Sequence, residues 1–403
     1  MTEDFTVTIV ANKVNKSQGG SNFSLDLIAR TLVERGHEVN VVTLNLSSDN
    51  DPFPDREYDV YERSVSKQSL LTARPIVDVF DEWESTSDVY HVFSPLIAPY
   101  AGKYRRDGGS TPVLCRLNQY SMFCSNVSEM DGECHKNCSV IDRLQHSSDD
   151  LTTRALKSPL FVMQSNVFSK WGNCVDKYYA VSPRVKEIYS EYGIDGDRIT
   201  VIPNFYNPDF MDDEPSIDTS NNQLRVLYVG RLSAEKGIDS LIESLSYVDS
   251  PVILDVVGEG DEKERLEEIT KRVSGDSTVQ FHGFVENHEL RDYYDSADIF
   301  VHPASWPEPF SRTILEGMQS GCALIVTDTG GSAWAIGDVG KVVPPRSASE
   351  IGNAINAYMN NPKALERAKH KSRKRCQEFN PDDVIDRMRR TKSELVEAAM
   401  KTS

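Results

Sequence analysis

Residues 5–44 read FTVTIVANKVNKSQGGSNFSLDLIARTLVERGHEVNVVTL, and this stretch decides the fold. Phe5, Val7 and Ile9 alternate within an apolar run, which predicts a strand. A polar loop containing Gly19 and Gly20 follows. Leu25, Ile28 and Leu32 then recur at helical spacing, with Ser21 placed to cap the helix and Gly36 to end it. Val39–Leu44 is the next strand. A strand, a helix and a second strand in this order build a parallel sheet with helices on its faces.

Outward from this unit the same alternation continues. Val89–Phe93 and Val113–Cys115 read as buried strands, while no clear pattern runs from Asn45 to Ser87. Residues from about Tyr120 to Lys157 are polar and irregular, the composition of a long insertion or lid. Tyr178–Val181 and Thr200–Ile202 are short strands around a helix at Pro183–Tyr192, and the Pro-, Asp- and Asn-rich Pro203–Asn222 reads as a linker. Beyond it, strands are predicted at Arg225–Val229, Val252–Val257, Val279–Phe281, Ile299–His302 and Ala323–Thr327. The helices between and after them fall at Asp239–Val248, Asp261–Val273, Asn287–Ser296, Arg312–Ser320 and Ala348–Met359. The tail from Val384 to Val396 is an amphipathic helix. The fold class is therefore α/β: two doubly wound, Rossmann-like domains at residues 1–205 and 206–380, then a terminal helix at 381–403. Two such domains facing each other make a cleft. In open α/β sheets ligands bind beyond the carboxyl ends of the strands, so those ends are where chemistry is sought.

Composition narrows the function. With 44 Lys and Arg against 62 Asp and Glu, the 403-residue chain carries a net charge of −18, which repels nucleic acid from most of its surface. The acidic balance keeps the surface hydrated and is compatible with a salt-adapted source. No run of about 18 apolar residues exists to cross a membrane, and the acidic start lacks the bases of a signal peptide. The default compartment is the cytoplasm. Lys103, Arg105 and Arg106 form a small basic cluster, suited to peripheral contact at an anionic inner membrane face or to a solvated helix end. Seven cysteines, an odd number, argue against a disulfide scaffold. Cys124, Cys134 and Cys138 near His135 fit no zinc spacing closely, and a reduced cluster is the better reading than a metal site.

Two strand ends carry the chemistry. After Arg225–Val229 the chain reads GRLSAEKG: Gly230 permits close backbone approach, while Arg231 and Lys236 offer a donor fork and a point charge to neighbouring phosphates. The simpler alternative is a solvated turn with Lys236 paired to Glu235 or Asp239. After Ile299–His302 it reads HPASWPEPFSRTILEGMQSG, with Glu308 in a Pro-held loop and Glu316 inside the next helix. Ser311, Arg312 and Thr313 open that helix, whose amides and dipole suit an anion. Glu308 can accept from sugar hydroxyls and Glu316 from a ribose diol. His91, His282 and His302 read as strand residues rather than bases.

With these residues in order, the chain resembles retaining glycosyltransferases of the GT-B type, the large family 4 group. The resemblance runs through GGSNFSLDLIARTLVERGHEVNVVT, VSPRVKEIY, VIPNF, GRLSAEKG, VVGEGDEKERLEE, FHGFV, ADIFVHPASWPEPF and ILEGMQSG. Glu308 and Glu316 match the family's Glu-x7-Glu pair. The resemblance implies that a nucleotide-diphospho-sugar is held by the second domain and the acceptor, a sugar, lipid-linked or small molecule, by the first. It implies that Arg231 and Lys236 clamp the diphosphate, Glu308 contacts the donor sugar and Glu316 the ribose. Gly230, Phe310 and the backbone at Ser311, Arg312 and Thr313 line the donor site, the main chain at Val285 reads the base, and Gly19 and Gly20 lie near the transferred group. No cofactor and no obligatory divalent metal are implied. Three positions depart from the family pattern: Asn118 where many relatives have a histidine, Phe205 in place of the glycine of PNG, and Trp334 in place of the acid of GGxxE. Two alternatives stay open, an epimerase or phosphorylase on the same fold and a non-catalytic nucleotide-sugar-binding protein.

Overall fold

The computed structural model describes residues 5–15, 19–45, 53, 56–66, 72–122, 169–211, 223–273 and 275–402. The expected insertion beyond Met122, with Cys124, Cys134 and Cys138, lies outside the described residues, as does the end of the expected linker. Contacts divide the chain into two units. The second takes in Asn204–Pro381, and the first holds the strands before it together with Asp382–Ser403.

The first unit is a seven-stranded sheet: β1 (Thr6–Ala11), β2 (Glu38–Thr43), β3 (Asp59–Glu62), β4 (Val89–Val92), β5 (Val113–Leu117), β6 (Lys177–Ala180) and β7 (Ile199–Val201). Its order is β3-β2-β1-β4-β5-β6-β7, and every pairing is parallel. The central strands are buried along their whole length, VYHV in β4 and VLCRL in β5, because helices cover both faces. Those helices are α1 (Gly19–Glu34), α2 (Arg74–Trp83), α3 (Ala98–Arg106) and α4 (Pro183–Glu191). Leu25, Ile28 and Leu32 of α1 are buried, and Gly36 stops it in a left-handed turn (φ 87°) with its amide bonded to Val33 O at 2.8 Å. The helix begins at Gly19, two residues before the expected cap, so Ser21 lies inside its first turn.

The second unit is a six-stranded parallel sheet: β8 (Arg225–Val229), β9 (Ile253–Val257), β10 (Thr278–Gly283), β11 (Ile299–His302), β12 (Ala323–Thr327) and β13 (Lys341–Val343). The order β10-β9-β8-β11-β12-β13 reverses direction between β8 and β11. Helices α5 (Ile238–Glu243), α6 (Lys263–Val273), α7 (Leu290–Ser296), α8 (Arg312–Ser320), α9 (Ser332–Ile336), α10 (Ala348–Met359) and α11 (Pro362–Cys376) surround it. A last helix, α12 (Pro381–Thr402), returns to the first unit. There Tyr179 donates to Met388 O at 2.9 Å and Arg35 pairs with Asp382 and Asp386.

Several elements escape the sequence pattern for physical reasons. β3 is an exposed edge strand of four residues, DVYE, with no apolar run. α3 buries Tyr100 and Tyr104 among small residues, so its apolar periodicity is weak, and a Cβ on Gly102 would come within 2.0 Å of Trp171 O. The expected helix at Asp239–Val248 tightens after Glu243 into a 3-10 turn, Ser244–Tyr247. The start of the expected linker is packed structure. Asn204 donates to Phe310 O at 3.3 Å, Phe205 O accepts from Arg312, and Phe210 meets Tyr294 edge-on at 5.8 Å.

Gly258, after β9, has φ 135°, and a Cβ there would lie 1.9 Å from Gly230 O. Gly258→Ala adds positive-φ strain to a backbone clash, so a loss of about 2–4 kcal/mol in urea unfolding is expected. An unchanged midpoint would contradict this close approach.

Candidate nucleotide-sugar site

The strand ends where the second sheet reverses are the loop after β8 and the loop after β11, the crevice that a doubly wound sheet leaves for a ligand. Main-chain contacts join them. Ser305 N donates to Glu235 O at 2.8 Å, and Gly237 (φ 66°) packs so closely that a Cβ would meet Pro303 O at 2.2 Å. The loop after β12 closes from the other side. Gly331 N donates to Glu308 O at 2.7 Å, Thr327 Oγ1 donates to Ala304 O at 2.6 Å, and a Cβ on Gly330 (φ 55°) would lie 2.0 Å from Glu308 O. The functional side chains thus stand on a backbone fixed by amides and glycines.

On that frame the two cations have different fates. Lys236 Nζ is bonded to Glu308 Oε2 and lies 5.3 Å from the centre of the Trp306 ring. It pairs with neither Glu235, which accepts from Ser233 Oγ, nor Asp239, which is held by Arg265. Arg231 is exposed, and its guanidinium has no ion-pair partner among the described residues; its carbonyl accepts from Tyr228 at 2.8 Å. Glu308 is only 8% exposed and also accepts from Trp306 Nε1 at 2.9 Å. Burial pushes its carboxyl up, but Lys236, His302 and the two donors together hold it below the usual range. His302 is buried beside this pair, and desolvation pushes it down to about 4, so it is neutral near pH 7.

Glu316 faces inward from α8. It accepts from Tyr294 OH at 2.9 Å and from Asn287, with Arg312 beside it, yet burial wins and raises its pKa. The Arg312 side chain is buried too and donates to Phe205 O at 3.3 Å. Arg312 therefore offers an anion only its backbone amide, at a helix start where first-turn amides lack helical acceptors. Ser311 Oγ and Thr313 Oγ1 are 2.8 Å apart at the same end. Phe310 anchors the loop in an aromatic cluster with Trp334 and Phe379, which gives Trp334 a packing role. Val285 is half-buried after β10, beside an exposed Phe284.

Sequence reasoning brought Arg231, Lys236, Glu308 and the α8 start to one edge of one sheet. It missed what Trp306, Tyr294 and Asn287 do, and that His302, read as a strand residue and not a base, is buried beside Glu308. Trp306 and His302 lay within the quoted motif, where their side-chain directions were invisible, and nothing in LRDYYDS marked Tyr294 as a partner of Glu316.

The remaining candidates belong to the first unit. Asn118 follows β5 and donates to Ser21 Oγ at 2.8 Å, while Gly19 and Gly20 open α1. The basic cluster of α3 is committed: Lys103 and Arg106 to Asp107, Arg105 to Asp176. Among the described residues no helix is long and apolar enough to cross a membrane.

A pair of doubly wound units with an anion-suited crevice defines the class of GT-B nucleotide-dependent proteins, and comparison supplies the family. The profile described as Glycosyltransferase Family 4 matches residues 18–210, and that described as Glycosyl transferases group 1 matches residues 210–375. A glycosyltransferase of Methanocaldococcus jannaschii is 31% identical over 337 residues, covering 78% of this chain and 77% of the relative. A 42.6 kDa protein of the cps region of Klebsiella pneumoniae is 21% identical over 342 residues, covering 81% and 84%. Anabaena HepE, crystallised with UDP, superposes with TM-score 0.75 at 18% identity over 96% of this chain and 100% of that one. This chain belongs to the group 1, family 4 glycosyltransferases.

Lys236→Met strands a buried Glu308 carboxylate and is expected to cost about 2–4 kcal/mol, reduced from a fully buried pair because Lys236 is partly exposed. Glu308→Gln added to Lys236→Met should restore much of that loss in denaturant unfolding; strictly additive losses would show that the pair is not coupled. In the wild type the carboxyl is lowered on folding. Its contribution is therefore complete above about 4.5 and disappears as pH falls through its lower folded value.

Proposed function

We propose that the protein transfers a sugar from a nucleotide diphosphate to an acceptor hydroxyl, retaining the anomeric configuration, in the synthesis of a glycan, glycolipid or polysaccharide. The observation that carries this reading is the pair of half-buried Lys236 and buried Glu308 beside exposed Arg231 and the α8 start, at the point where the strand order reverses. Structures of HepE with UDP and with UDP-glucose, on the same fold, support a nucleotide-sugar donor.

As the glycosidic bond breaks, negative charge gathers on the departing diphosphate. Arg231, Lys236 and the amides at Ser311–Thr313 are fixed donors for that charge, and preorganised donors outperform mobile water. Glu308 holds the Lys236 ammonium in place before the donor arrives and accepts from the sugar hydroxyls afterwards. Tyr294 and Asn287 orient Glu316 toward the ribose. The departing phosphate oxygen takes the acceptor's proton on the same face, so no paired-carboxylate nucleophile is required. Asn118 can hydrogen-bond the sugar but cannot shuttle a proton near pH 7. Charge stabilisation rests on side chains and amides, so the reaction needs no divalent metal. The protein works in the cytoplasm, with any membrane contact peripheral.

Arg231→Ala is expected to lower turnover by about two orders of magnitude with an unchanged melting curve, the usual scale for removing one transition-state donor. Wild-type turnover would refute the clamp. Activity should persist in EDTA, and rescue by Mg²⁺ after chelation would refute the metal-free reading. A thermal-shift panel of UDP, GDP and ADP with their sugar conjugates identifies the donor, since a ligand bound only to the folded state raises its midpoint. A chain that none of them stabilises would not be using a nucleotide sugar.

A further inference from the structure

The carboxylate of Glu308 is held unevenly. Lys236 Nζ and Trp306 Nε1 both donate to Oε2, the indole at 2.9 Å, while Oε1 takes no donor among the described residues. The side chain is nearly enclosed but keeps 11% of its surface open. An ionised carboxylate accepts on both oxygens, so Oε1 is the one with capacity left for a ligand. Trp306 reaches Oε2 because the chain folds back on itself. Glu308 N donates to Trp306 O at 2.7 Å across Pro307, a three-residue turn, and Gly331 N ties the Glu308 carbonyl to the loop after β12.

Lys236 does not secure this arrangement alone. Its ammonium sits on a flexible stem, and in the reading proposed above it also serves the diphosphate of the donor. An arriving diphosphate competes with Glu308 for that one charge. The indole is the other donor to the carboxylate among the described residues, and it is a donor only, so a phosphate can draw it away less easily than an ammonium. The ring also lies 5.3 Å from Lys236 Nζ, which ties the three side chains into one cluster. Burial pushes the Glu308 carboxyl up, while Lys236, His302 and the Trp306 bond pull it down. The last torsion of a glutamate is soft, so a carboxylate without a second fixed donor turns freely about it.

We propose that Trp306 is a positioning residue for recognition of the donor sugar: its indole N–H pins Glu308 Oε2, which leaves Oε1 as the acceptor for one sugar hydroxyl while Lys236 serves the diphosphate. Trp306 acts through Glu308 and not by touching the substrate. The inference rests on the nucleotide-sugar reading. It makes the indole matter for the sugar and not for the nucleotide.

The test measures, by calorimetry on the full chain, the binding of UDP, GDP and ADP and of UDP-glucose, GDP-mannose and ADP-glucose. Trp306→Phe keeps an aromatic ring beside Lys236 and removes the N–H. It should weaken the sugar conjugate that the wild type prefers by about tenfold, the scale of one charge-assisted hydrogen bond, and leave the parent diphosphate unchanged. The loss of conjugate binding in acid should move to higher pH, because the carboxyl has lost a donor that lowers it. In a Glu308→Gln background Trp306→Phe should add little. Equal weakening of diphosphate and conjugate, an unmoved acid limb, or full additivity with Glu308→Gln would overturn the proposal. Should Trp306→Phe not fold, 15N-tryptophan labelling decides: one of the four indole signals should move upfield in Glu308→Gln, and four unmoved signals would overturn it. A wild type that binds none of these probes refutes the nucleotide-sugar reading itself, whereas a wild type that binds one pair and a variant that behaves identically refute the role of Trp306 alone.

Discussion

The second unit depends on one constraint: three loops must meet backbone to backbone where the strand order reverses. Gly237 against Pro303 and Gly330 against Glu308 leave no space for a Cβ, and the Ser305 and Gly331 N–H groups close the gaps with hydrogen bonds to Glu235 O and Glu308 O. Only a parallel sheet brings the ends of β8, β11 and β12 to one edge, and only glycines let the loops meet there. Once they meet, Glu308 is buried beside Lys236, and its charge becomes affordable because the ammonium and the Trp306 indole are within hydrogen-bond reach.

That electrostatic arrangement explains how an acidic chain prepares a place for a phosphate. The pair of Lys236 and Glu308 is neutral as a unit, which leaves exposed Arg231 as a cation with no ion-pair partner among the described residues. His302, kept neutral by burial, adds no competing cation. Glu316 has the reverse balance, since its donors do not outweigh desolvation. The two glutamates of one motif therefore have opposite acidities, a difference that comes from their partners and not from their spacing.

Much of this architecture was legible in the sequence because parallel strands buried on both faces are nearly continuous apolar runs. VNVVTL and RVLYV announce themselves in this way, and glycine-bounded cations after a strand mark a loop end. What stayed hidden was information that sequence does not carry locally. DVYE has no apolar run, α3 buries its two tyrosines among small and basic residues, and Phe205 reads as linker until Phe210 and Asn204 are seen against α8 and its neighbours. The partners of Glu316 come from α7 and the loop after β10, distant in sequence, and the choice of Glu308 over Glu235 for Lys236 depends on tertiary geometry.

The aromatic trio of Phe310, Trp334 and Phe379 has a consequence for how such a scaffold diversifies. The loop after β11 is anchored from behind by packed rings and from the sides by peptide groups, so its main chain is held independently of the rim around it. Exchanging the exposed Phe284 on the neighbouring loop after β10 changes what a ligand meets while leaving Glu308 and the Trp306 that donates to it in place. Selection can therefore explore new substrates along this rim while the buried scaffold stays constant.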